Sequence, residues 1–210
     1  MQQALTPIIG VLRNINRVIE SAINPIATLL IALMLFTTVW GVFTRLTGIS
    51  NSWTDKVMII LLPALAFAIA PVAYRRSANV SLDLLADSLS PRARNLHGVA
   101  LHLFILLLLL VGLDLTLRKV GIDPGPLAGL ILALTGLDLN EIRPFAMPMR
   151  IQVINVQWKY VYMIMPVSIA FMIMANLELL LRNVLYAIYP GLERPRAVRS
   201  VEDAESKLWD

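Results

Sequence analysis

The feature that most limits what this chain can fold into is its set of four long apolar runs, at residues 23–43, 57–74, 96–117 and 161–181. Each has the roughly 20-residue length with which a helix rising about 1.5 Å per residue crosses a hydrocarbon core about 30 Å thick. Lipid offers no partner for a free backbone N–H or C=O, so such runs are stable there as helices, which pair these groups internally. With 58% apolar and 15% charged residues, the chain has more apolar surface than a soluble core can hide. The expected fold is an all-α integral membrane protein with four transmembrane helices, 23–181, and additional amphipathic interfacial helices. The second run is the shortest and contains Pro63 and Pro71, which predict a bent or tilted helix.

The segments between the runs carry their own patterns. In 1–22, Ile8, Val11, Leu12, Ile15, Val18 and Ile19 recur at helical spacing with Arg13, Asn14, Asn16, Arg17 and Glu20 largely opposite, the signature of a helix lying in the membrane interface. The first long run exceeds a signal-peptide core and lacks a small-residue cleavage pattern, so it is expected to stay in the mature protein. Between the second and third runs, Val80, Leu84 and Leu85 interleave with Ser81, Asp83 and Asp87, and Ser90–Pro91 reads as the start of the third helix. The longest linker, 118–160, holds an apolar piece at 127–134 that is too short to span. Pro124, Gly125 and Pro126 precede it and Gly136 follows, which predicts a surface or re-entrant helix. The same breaks argue against reading Gly121, Gly125 and Gly129 as a helix-packing stripe.

Orientation follows from the basic residues. Lys and Arg outnumber Asp and Glu, 18 against 14, and they flank the apolar runs rather than forming one polar face, which points to membrane anchoring and away from nucleic acid. The densest cluster, Arg75, Arg76, Arg92 and Arg94, lies in the linker on the same side as both ends of the chain. The positive-inside rule therefore places the termini, including the tail 182–210, in the cytoplasm and the linker 118–160 outside.

Residues that carry chemistry are scarce. Cysteine is absent, which excludes disulfides, thiolate metal sites and cysteine nucleophiles. His97 and His102 point about 140° apart on one helix and cannot grip a metal together, and no third histidine exists, so the residues argue against a haem. Asp114 with Arg118, and Glu178 with Arg182, are spaced as ion pairs near helix ends, where charged heads reach the interface. The deep parts of the runs read as nearly free of charge, and the methionines read as packing material. No catalytic residue, cofactor site or metal site is expected.

One ordered set of residues carries a resemblance. VFTRLTGISNSWTDK follows the first run, VAYRRSANVSLDLLADSLSPRAR leaves the second, and QWKYVYMIMPVSIAF opens the fourth. Arg45 ends a helix, Trp53 and Asp55 open the next after a short polar turn, Arg75 and Arg76 form a basic pair, Asp83 lies in a V-x-L-D-L-L-like stretch, and Trp158 and Tyr160 form an aromatic entry before Pro166. This order resembles the small membrane subunit of tripartite ATP-independent periplasmic (TRAP) transporters, the DctQ-like family. Asp55 stands where Glu is more usual in that family, and Asn79 where His is frequent. The resemblance implies a non-enzymatic, multi-pass subunit of the bacterial inner membrane, working with a large permease (M) subunit and a periplasmic substrate-binding (P) protein. It implies sodium-driven uptake of a small organic anion or related solute, the subunit acting as a scaffold. Arg45, Trp53, Asp55, Arg75, Arg76, Asp83, Trp158 and Tyr160 are the expected structural or partner-contact residues. A membrane redox subunit and a small stand-alone transporter are the alternatives the residues leave open.

Overall fold

The computed structural model describes residues 2–49, 53–86, 91–139, 150–151 and 156–188, with side chains placed within 7–49, 53–75, 96–139 and 157–188. Among the described residues, six helices run in chain order: α1 (Gln2–Leu46), α2 (Trp53–Ala86), α3 (Pro91–Val120), α4 (Pro126–Thr135), α5 (Trp158–Tyr162) and α6 (Ile164–Ile188). A two-residue ladder, β1 (Arg150–Ile151) against β2 (Val156–Gln157), is antiparallel and pairs Arg150 with Gln157. Four helical stretches among the described residues are long and apolar enough to cross a membrane: Pro7–Leu46, Trp53–Arg75, Leu96–Val120 and Trp158–Ile188.

The helices are longer than the apolar runs. α1 continues for 45 residues through the amphipathic segment and Pro25, joining that segment and the first run in one helix. α2 runs unbroken past Pro63 and Pro71 to Ala86, so the backbone of Arg76 and Asp83 is helical; their side chains lie outside the described residues. The ends, by contrast, follow local chemistry. After α1, Gly48 has φ +70°, its N–H donates to the Arg45 carbonyl, and the Ile49 N–H donates to Thr44, a Schellman stop. Gly121 ends α3 in the same way, through Arg118 and Leu117. The short helix expected at 127–134 is α4, held between Gly125 and a left-handed Gly136.

α6 is the centre of the bundle. It packs against α3 on one side and against α1 and α2 on another, while α1 and α2 pair with each other and the consecutive helices α2 and α3 scarcely touch. Small residues set the close approaches. A Cβ on Gly98 of α3 would stand 3.3 Å from the Asn183 amide of α6. The buried Thr37 hydroxyl is paired within its own helix, donating to the Leu33 carbonyl at 2.9 Å, and its oxygen also lies 3.2 Å from Met58 Sδ on α2. The Phe67 carbonyl would normally accept from the residue four positions on, but that residue is Pro71, which has no N–H. Ser168 Oγ of α6 donates to it instead at 2.6 Å, which repairs the gap and ties α2 to α6.

Candidate functional site

Polar groups converge on two levels near one end of the bundle. Asn176 and Glu178 are two residues apart on α6, hence about 200° apart around its axis, and face opposite neighbours. Asn176 is fully buried. Its Nδ2 donates to the His102 carbonyl at 2.9 Å, which fixes the amide orientation, so Oδ1 accepts from Tyr74 Oη at 2.7 Å and from His102 Nδ1 at 2.8 Å. Nδ1 of His102 therefore carries the ring proton. His102 joins α3 to α6; it is a helix-packing residue.

Glu178 faces the other way. Oε2 accepts from Asn16 Nδ2 of α1 at 2.7 Å and lies 3.3 Å from Arg75 Nε of α2, while Oε1 lies 3.9 Å from Arg182 Nη1. Arg75 also donates to Glu20 of α1 at 2.8 Å, and Asn16 donates to the Met174 carbonyl at 3.3 Å. One buried carboxylate thus holds α1 and α2 on α6. The expectation of a simple surface pair with Arg182 is corrected: Glu178 is 1% exposed and its closer partners come from other helices. The spacing of charges along one helix could not show this, because the partners depend on α6 lying between the others.

A second correction concerns Asp114. The pair with Arg118 forms, with Arg118 Nε donating to Oδ2 at 2.7 Å, yet both side chains are buried rather than reaching the interface. Along its length α3 packs mainly against α6 and also against α4 and α5. The interior is therefore not free of charge, although each of these charges has a partner of opposite sign.

The expected contact residues are spread over the bundle. Arg45 and Asp55 meet across the α1–α2 turn at 2.8 Å, with both side chains largely exposed. Trp53 stands at the head of α2, 37% exposed. Trp158 stacks on Tyr162 with ring centroids 6.0 Å apart, and the exposed Tyr160 ring lies 5.1 Å from Lys159 Nζ. Among the members of the set whose side chains are described, Arg75 alone enters the buried network. Asn16, Tyr74, His102 and Asn176 were missed; the usable signal was polar side chains inside or beside apolar runs. Among the described residues, no three His, Asp or Glu groups are placed to hold a metal. The outer faces are apolar, including a ladder on α1 in which Phe36, Trp40 and Phe43 are 6.3 and 5.8 Å apart.

These features define a polytopic membrane protein whose buried polar groups join helix to helix, leaving apolar faces outward. The sequence profile described as "Tripartite ATP-independent periplasmic transporters, DctQ component" matches residues 33–185. The chain belongs to that family, the small permease component of TRAP transporters. It is a family of transporter components rather than of enzymes. No curated protein and no solved structure gives a match.

Proposed function

We propose that this subunit scaffolds the large permease (M) subunit during sodium-driven uptake of a small organic anion or related solute delivered by a periplasmic binding (P) protein. The observation that carries the reading is the family match across all four apolar helices. The internal pairing of Asn176, Glu178 and Asp114 supports it, since these groups are engaged in holding helices together. In this reading the protein sits in the bacterial inner membrane with both termini cytoplasmic. The part of α1 within 1–22 rests at the cytoplasmic interface. Arg45, Trp53 and Asp55 order the outer turn, and Arg75, Arg76, Asp83, Trp158 and Tyr160 contribute to bracing or partner contact. The test is reconstitution in liposomes: solute flux is expected only when this chain, the large subunit, the binding protein and a sodium gradient are all present. Flux with this chain alone, or undiminished flux without it, refutes the scaffold role.

A further inference from the structure

The buried networks account for the polar interior, but a groove between α2 and the α5–α6 segment has no part in them. It encloses about 250 Å³ and is lined by Ile59, Pro63, Phe67, Val161, Tyr162 and Met165 among others. That is smaller than the about 300–1,000 Å³ of sites that enclose a drug-sized ligand. Its walls are nearly all hydrocarbon and aromatic, so an occupant's buried part is apolar.

Its mouth is different. Lys56 lies one turn before Ile59 and two turns before Pro63, on the α2 stripe that lines the groove. Lys159 is in the one-turn α5 between Trp158 and Tyr162, both of which line it. Lys119 of α3 places Nζ 6.0 Å from the Tyr162 ring centroid. Three elements thus carry a lysine beside the groove: Lys119 by contact with the Tyr162 ring, Lys56 and Lys159 by their positions on α2 and α5, the Lys159 amino group resting over the Tyr160 ring. Among nearby carboxylates, Asp55 is engaged by Arg45, and Asp123 accepts from the Gly125 N–H. Trp158, Tyr160 and Tyr162 form the amphipathic aromatic group expected at headgroup level. Along α2 the groove runs from Ile59 to Phe67, about 12 Å, and Lys56 stands one turn further out, so lysine and groove together reach about 16 Å, close to half of a hydrocarbon core about 30 Å thick, hence one leaflet.

We infer that this groove binds an anionic phospholipid of the adjoining leaflet, one acyl chain lying in the slot and the phosphate among Lys56, Lys119 and Lys159. A slot one leaflet deep with a cationic mouth matches a lipid better than a partner helix, which would need a surface running the full span. Basic pockets between membrane helices attract such headgroups, each lysine adding to the attraction.

The full chain purified in a mild detergent would be titrated with dioleoyl phosphatidylglycerol and dioleoyl phosphatidylcholine and bound lipid counted by native mass spectrometry. The anionic lipid is expected to bind about tenfold more tightly. The triple variant Lys56→Gln, Lys119→Gln, Lys159→Gln changes only charges near the surface and should reduce that preference to about twofold or less. Val161→Trp fills the slot and should weaken both lipids. Equal binding of the two lipids by the native chain, or a preference that survives the triple variant, overturns the proposal. So does displacement of the lipid by millimolar glycerol phosphate, which would reveal an anion site without a lipid. A photo-crosslinker at Val161 should capture lipid in cells; capture of the large permease subunit or of a second copy of this chain would sink it.

Discussion

At the scale of single residues, Asn176 and the Arg45–Asp55 pair bracket the range of polar contributions. Asn176→Ala removes three hydrogen bonds at once and leaves the Tyr74 hydroxyl, the His102 Nδ1–H and the His102 carbonyl short of that partner. A loss of about 1–3 kcal/mol is expected, read by denaturation in detergent, whereas Tyr74→Phe should cost about 0.5–1.5 kcal/mol because the amide keeps its other bonds. Asp55→Ala should change stability by less than about 1 kcal/mol, since solvent screens an exposed pair. A loss of assembly with the large subunit in Asp55→Ala would then report contact rather than folding. Arg45 and Asp55 could be matched in the sequence because one short turn separates them. Glu178 and Asn16 could not, because they are 162 positions apart and only the arrangement of helices makes them neighbours.

At the scale of elements, the repair at Pro71 gives a sharper test. Ser168→Ala strips the Phe67 carbonyl of its substitute donor and should cost about 0.5–1.5 kcal/mol, in the range of hydrogen bonds between membrane helices. Pro71→Ala restores the helix's own N–H to that carbonyl, so Ser168→Ala should cost distinctly less in that background. A double-mutant cycle measures the coupling, and strictly additive losses would show the two residues to be independent. The existence and number of membrane helices were legible because length and hydropathy alone decide them. Gly136 marked the end of α4 in the same way, through a backbone angle that glycine favours. The persistence of α1 and α2 beyond their apolar runs was less visible, since an amphipathic stretch joined to a span reads equally well as a separate helix.

At the scale of the whole molecule, the orientation can be checked directly because the chain has no cysteine of its own. Thr47→Cys, in the α1–α2 turn, should react with a membrane-impermeant maleimide in intact spheroplasts. Ala187→Cys, near the end of α6, should react only after the membrane is opened. The reverse pattern would invert the assignment made from the basic residues.

The central position of α6 has a consequence for biogenesis. A ribosome releases α1, α2 and α3 first; α1 and α2 can pair with each other at once, but the main neighbour of α3 is the last span to emerge. Until then Asn16, Arg75, Tyr74 and His102 sit in or beside the bilayer without the Asn176 and Glu178 that complete their bonds. Insertion of the final span is therefore the step that closes the bundle. A chain cut short before residue 164 is left with mismatched polar groups that proteolytic surveillance can recognise.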